Sequence, residues 1–268
     1  MSHYGLPVRR ACELIKQSRS TQRYCSAKDP GLDLRNHIRE IAGIRIRYGY
    51  RRIHVSLQHK GWLVGRNQTY RLYCAEQLQL RSRQPKRRKM TVSRQEKFKP
   101  TKPNQAWSMN SVADQLAGGD KFRALTIVGV ITKEALAIEV GQSLRGEDVV
   151  TTLNRLVAQR PAPKYLFVDN GSEFTVRLLD LWAYHHRAKI DFSRPGKPTD
   201  STHVEIFNGS FRGECLNCHW FTSPEDAKII IEAWRRDFNE SRPRSTLRDL
   251  SPAEFARQSG LESLRLCF

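Results

Sequence analysis

Acid is scarce in the first hundred residues of this 268-residue chain. Six Asp and Glu stand there against 24 Lys and Arg, a net +18, whereas residues 101–268 hold 21 acids against 22 bases. Nearly all of the formal charge of +19 therefore sits at one end. Long apolar runs are missing as well. No stretch approaches the roughly 18 residues that span a bilayer, and the opening MSHYGLPVRRACEL has no hydrophobic signal core. No membrane partner is expected, and the cytoplasm is the expected compartment. Cysteine is sparse: six residues, at 12, 25, 74, 215, 218 and 267, are too scattered for a disulfide framework. Cys215 and Cys218 precede His219, and His54 and His59 precede Cys74, but neither set has a second cysteine pair at metal spacing. No structural zinc is expected.

What is present is enough apolar material, 39% hydrophobic residues, to build a core, and a length suited to two domains. A basic module joined to a near-neutral one is the electrostatic footprint of phosphate-backbone binding, with double-stranded DNA the expected partner. A solvated face alone does not call for such one-sided charge.

Residues 1–80 read as a basic helical domain. Leu34, Ile38 and Ile41 recur at helical spacing, and Ile53 and Leu57 repeat the step after a glycine break at Tyr48-Gly49-Tyr50. A third helix is expected after Gly65, with Arg66, Asn67, Gln68, Thr69 and Arg71 on one side and Tyr70, Leu72 and Tyr73 as apolar surface. Polar and basic residues opening the last of three short helices suit a major-groove reader, although any small three-helix domain shows the same periodicity. Arg51, Arg52, Arg66 and Arg71 are the DNA-contact candidates. Residues 81–103 form a cationic linker in which Lys86, Arg87 and Arg88 are expected to track the backbone.

Residues 104–268 read as strands alternating with helices. A hairpin of strands over 122–131 and 135–140 is expected to open this domain. A helix carrying Val149, Leu153 and Leu156 follows, then a buried strand Tyr165-Leu-Phe-Val ending at Asp169, helices over 176–187, 200–215 and 224–238, and a strand near 189–193. The order predicts an α/β fold, a mixed sheet covered by helices. Trp107, Trp182, Trp220 and Trp234 lie in apolar settings and are expected in the core. Asp169, before the Asn170-Gly171 turn, is placed for a metal ligand, and Glu205 lies within a helix flanked by Val204 and Ile206. Periodicity alone does not separate them from a turn residue and a solvated helix residue.

Several motifs in order add to this reading: DNGSEF at 169–174, RPGKPTD at 194–200, HVEIFNG at 203–209, ECLNCHWF at 214–221 and AWRRDFNESRPRSTL at 233–247. They resemble the integrase core of bacterial insertion-sequence transposases of the second-reading-frame type. RIRYGYRRIHVSLQHKGWLV, YRLY and PKRRKM resemble that family's helix-turn-helix-like N-terminal segment. The resemblance spans roughly residues 8–256. It implies a ribonuclease-H-like mixed sheet flanked by helices, preceded by a small all-α helix-turn-helix-like domain. It also implies an Asp-Asp-Glu triad that holds two Mg²⁺ or Mn²⁺ ions for DNA cleavage and strand transfer.

Asp169 and Glu205 match the last two acids of the triad, with 35 residues between them. The first falls after Trp107-Ser-Met, where this chain has Asn110. An amide keeps the shape of a carboxylate and one carbonyl ligand but loses the negative charge that offsets two dications. Asp114 resembles a separate family feature, not a replacement. Ser111, Gly129-Val130 and Thr202-His203 depart from the family pattern too, which suggests a crippled copy. The resemblance further places Lys197, Asn208 and Arg212 where related cores approach DNA. It implies a homo-oligomer on element ends and target, with the upstream reading-frame protein as a further partner, at the nucleoid of a bacterial cell. The alternatives are a non-catalytic DNA-binding regulator and a ribonuclease acting on RNA–DNA hybrids.

Overall fold

The computed structural model describes residues 7–24, 31–80, 100–169, 171, 174, 177–192 and 202–265. Two short helices, α1 (Val8–Leu14) and α2 (Arg19–Arg23), precede a trio: α3 (Leu32–Ile44), α4 (Tyr50–His59) and α5 (Arg66–Ala75). The i,i+3/i+4 apolar positions expected from the sequence form the common core of the trio. Leu34, Ile38 and Ile41 of α3 meet Ile53 and Leu57 of α4 and Tyr73 of α5. Gly61, at φ +84°, sits in the turn between α4 and α5, a backbone region that favours glycine. One face of α5 differs from expectation. Thr69 is fully buried, its hydroxyl 3.3 Å from Nδ1 of the buried His54, whereas Tyr70 is half exposed. The hydroxyl also donates to the Gly65 carbonyl, so a polar residue at this inward position is satisfied internally.

The second part is a five-stranded sheet in the order β3-β2-β1-β4-β5: β1 (Ala106–Gln115), β2 (Lys121–Gly129), β3 (Ala135–Gly141), β4 (Tyr165–Val168) and β5 (Lys189–Phe192). The first three strands pair antiparallel, and β1, β4 and β5 run parallel. The domain thus opens with β1, ahead of the expected hairpin. Helices α6 (Gly146–Val157) and α7 (Arg177–His185) cover one face, and α8 (Thr202–Glu214) and α9 (Pro224–Ser241) the other, with α10 (Pro252–Arg265) beside α9. This mixed sheet between two helical layers is the ribonuclease-H-like arrangement.

Alternation along the strands sorts the two cores. Trp107 and Met109 of β1, Leu125 and Ile127 of β2, and Leu166 and Val168 of β4 pack with α6 and α7. Val112 and Ala124 pack instead with Val204, Phe207 and Phe211 of α8 and Phe238 of α9. Trp107 and Trp182 are buried and Trp234 is partly so, as expected. Trp220, 85% exposed, is not a core residue. It lies in the loop just before α9, where the apolar run Trp220-Phe221 buries only its second ring.

Candidate active site

The parallel register of β1 and β4 pairs Met109 with Val168. Both point into the α6/α7 core, so Asn110, next along β1, turns to the α8 face, and Asp169 follows directly after the end of β4. Asp169 is exposed and Asn110 half buried. α8 packs on β1 and β2, and Glu205 lies exposed in its first turn. Asn110 and the helix that bears Glu205 thus lie on one face of the sheet, with Asp169 just past the end of β4. Among the described residues no set of three His, Cys, Asp or Glu side chains is grouped as a metal site. The third member of this one is an amide.

Asn110 is held locally. Its Oδ1 accepts from the Ser111 amide at 2.7 Å, and its carbonyl lies 3.1 Å from the Thr126 hydroxyl, directly across the β1–β2 ladder. The same hydroxyl is 3.0 Å from Oδ1 of Asn208. A hydroxyl has one proton, which serves one of these oxygens. Turning the Asn208 carboxamide so that its NH₂ faces Thr126 satisfies both contacts. Asn208 stands three residues after Glu205, on the same side of α8. The Asn110–Thr126–Asn208 chain thus fixes the helix bearing Glu205 to the strand bearing Asn110. Arg212, one turn on, donates to the Ala113 carbonyl of β1 at 2.9 Å. Thr126 carries no signal in the sequence, because its role depends on the strand register.

The DNA-contact candidates divide. Arg66 and Arg71 are exposed on α5, with Asn67 and Gln68 beside them at the helix start. Arg51 is exposed, its Nε donating to the Tyr50 hydroxyl at 3.2 Å. Arg52 is half buried, its Cζ 5.5 Å from the Tyr48 ring centre. Lys86, Arg87, Arg88 and Lys197 lie outside the described residues.

The Arg52–Tyr48 contact belongs to a joint between the two parts. Tyr48, which in the sequence reads only as part of a glycine break, is 5% exposed. Arg45, in the segment linking α3 and α4, forms a two-pronged ion pair with Asp237 of α9. Arg47 donates to the Gly209 carbonyl of α8 at 3.0 Å. Arg242, after α9, pairs with Glu214 at the end of α8 and lies 5.9 Å from the Tyr48 ring. A groove of about 580 Å³ opens here, lined by Ile44, Ile46, Ile230 and Trp234 among others. It is not beside the carboxylates.

Comparison with known proteins agrees with this architecture. Residues 100–198 and 186–252 match the integrase core domain family, and residues 32–88 match the HTH-like domain family. The chain is 41% identical over 253 residues to the insertion element IS407 uncharacterized 31.7 kDa protein of Burkholderia multivorans, covering 94% of this chain and 91% of that protein. The chain belongs to the integrase-core family of insertion-element transposases. A second member of that family, the insertion element IS476 uncharacterized 39.2 kDa protein of Xanthomonas euvesicatoria, is 37% identical over 96% of this chain and 74% of its own length. Among solved structures, the HTLV-2 integrase catalytic core domain in complex with magnesium, in its trimeric form, aligns with a TM-score of 0.46 at 12% identity. The alignment covers 59% of this chain and 99% of that one. No described helix of this transposase-family chain is long and apolar enough to cross a membrane.

Proposed function

We propose that this chain binds the ends of its insertion element through the basic helical domain and linker, and presents them to the core for strand cleavage and strand transfer. We propose further that Asn110 holds the chemistry of this copy far below that of an aspartate-bearing core. The observation that carries the reading is the position of Asn110 on β1 and of Asp169 just after β4, each one residue past the paired Met109 and Val168, with the helix that bears Glu205 packed on β1 and β2. The donor set does not fit a pair of dications. Two carboxylates and an amide are one negative charge short of the set that would hold the ions, and the amide oxygen already accepts from the Ser111 backbone. In the aspartate-bearing form, Mg²⁺ or Mn²⁺ would supply activation of water or of a 3′ hydroxyl and stabilise the leaving oxygen. What this chain's own residues do is bind and orient: Arg51, Arg66 and Arg71 suit phosphate and base-edge contacts, as do Lys86, Arg87 and Arg88 of the linker and Lys197 and Arg212 of the core. Asn208, bonded to Thr126, serves the helix that carries Glu205.

The test is metal-dependent nicking and joining of a plasmid carrying the element's flanking ends, comparing the chain with Asn110→Asp. Restored activity in Asn110→Asp alone supports the reading, and full activity of the chain as it stands sinks the claim about Asn110. A second reading, a non-catalytic DNA-binding regulator, is favoured by the same amide. It gains support if both proteins bind the ends and neither cuts. Joining two ends in one assembly calls for several copies, so we read the chain as a homo-oligomer on DNA at the bacterial nucleoid. The upstream reading-frame protein is a further candidate partner.

A further inference from the structure

The turn between α4 and α5 presents one apolar side chain wholly to water. Leu63 is 103% exposed, more than any other large apolar residue among those described. Its neighbours in the chain explain why. Trp62 and Val64 both pack against the core of the helical trio, and the Trp62 ring lies 5.1 Å from that of His37. The backbone is pinned as well: the Gly61 amide donates to the Gln58 carbonyl at 2.9 Å, Trp62 to Leu57 at 3.0 Å and Val64 to Trp62 at 3.1 Å. The last of these closes a three-residue turn with Leu63 at its apex. Leu63 is thus held outward by anchors on both sides. Single apolar residues on a surface are ordinary, but this one stands three residues before Arg66, at the start of the helix that exposes Arg66, Asn67, Gln68 and Arg71.

Charge selects what can cover Leu63. Residues 41–75 hold seven Lys and Arg and no Asp or Glu, and Lys60, Arg66 and Arg71 on either side of the turn are exposed. A duplex is anionic along its whole length, and its major groove also offers an apolar group, the C5-methyl of thymine. In helix-turn-helix docking the residues that open the second helix lie over base edges, which brings the apex of the preceding turn to the same groove. We propose that Leu63 packs on a thymine C5-methyl group in the major groove and is a specificity-determining residue for the DNA that α5 meets. This rests on the reading that the helical domain binds the element ends. Arg66 and Arg71 supply attraction to phosphate, Asn67 and Gln68 suit base edges, and Leu63 adds a contact that thymine alone among the four bases provides.

The experiment measures binding of the full chain, Leu63→Ser and Leu63→Met to duplexes carrying the element's ends, made either with thymine or with uracil in its place. Uracil keeps the hydrogen-bonding groups of the base and removes only the methyl. Burying one such group is worth a factor of about four in affinity. The chain should therefore prefer the thymine duplex, Leu63→Ser should lose about four-fold of that preference, and Leu63→Met, which keeps the apolar reach, should retain it. Leu63 buries nothing within the folded chain, so all three proteins should unfold at the same temperature. Binding without a thymine preference overturns the proposal and leaves the DNA reading intact, as does a preference that Leu63→Ser does not change. Failure of the chain to bind either duplex overturns both. If Leu63→Ser instead loses self-association while keeping its thymine preference, a second copy covers this residue and the proposal is wrong.

Discussion

The guanidinium of Arg47 occupies the volume that a Cβ on Gly213 would need, so a side chain there would push the tip of an exposed, flexible arginine aside. Gly213 sits on α8 one turn after Gly209, whose carbonyl accepts from Arg47. Ala at a helix interior is ordinarily favoured over Gly by about 1 kcal/mol. We therefore expect the gain from Gly213→Ala to depend on context. With Arg47 present the methyl group pushes a flexible, exposed guanidinium off the Gly209 carbonyl, which offsets part of the gain, whereas in an Arg47→Ala background it raises stability by about 1 kcal/mol. A double-mutant cycle from urea unfolding midpoints reads the coupling, and simple additivity would show that Arg47 is indifferent to Gly213.

The Arg242–Glu214 pair is buried on both sides, with side-chain exposures of 5% and 14%. Removing one partner of such a pair leaves a buried charge, so Glu214→Gln should cost about 3–5 kcal/mol. The more exposed Arg155–Glu139 pair is the comparison: Glu139→Gln should cost about 1 kcal/mol or less. Denaturant curves of the two variants give the ratio, and equal costs would mean that the pair at the joint does not tie α8 to the segment after α9.

Thr126→Val removes the hydroxyl between Asn110 and Asn208 and keeps the shape. It should cost about 1–3 kcal/mol by leaving polar groups without partners, while Thr126→Ser retains most of the interaction. Hydrogen exchange should quicken in the turn of α8 containing Asn208 before it does so elsewhere in the core. Uniform protection across α8 in the Val variant would show that Val204, Phe207 and Phe211 hold the helix without this bond.

Lys133 gives a pH signature. Burial first, and the Arg244 charge second, lower its ammonium to about 8 from an ordinary 10.5. Between these values the unfolded chain holds a proton that the folded chain has released, so this group makes stability rise with pH from about 8 to about 10.5. Lys133→Met should flatten that part of the profile. Urea unfolding at successive pH values across the window checks the sign, and an identical slope in both proteins would remove Lys133 as its source.

The cysteine pair predicts an asymmetric reactivity. Burial pushes the Cys215 thiol up to about 12, with Cys218 and Asp114 adding to the shift, while Cys218 is exposed with its thiol donating to the Gly213 carbonyl. An alkylating agent should modify Cys218 in the native protein and reach Cys215 only on unfolding. Peptide mapping after a brief iodoacetamide pulse distinguishes the two; equal labelling would mean the end of α8 opens readily.

The helices of the N-terminal trio are legible in the sequence because a buried stripe must recur at i, i+3 and i+4, and Ile38, Ile53 and Leu57 do. The strands around Ile127 and Leu166 are legible from their β-branched and apolar runs. So is the family resemblance, with Asp169, Glu205 and the amide at 110, since motif spacing is a one-dimensional property. Thr69 departs from its expected face because its buried hydroxyl is satisfied by Gly65 and His54, partners that helical periodicity does not count. Trp220 departs from the expected core because local apolarity does not fix which side of a loop faces water. The sequence by itself determined the one-sided charge, the elements and the identity of the candidate site residues. The tertiary structure alone decided that Asn110 and Asp169 each follow one of a paired couple, Met109 and Val168, because that depends on the β1–β4 register. It alone decided that Thr126 joins Asn110 to Asn208, and that Tyr48, with Arg52 beside it, meets Arg242 far along the chain. Those relationships arise when distant segments are buried together, and burial sets which charges must be paired.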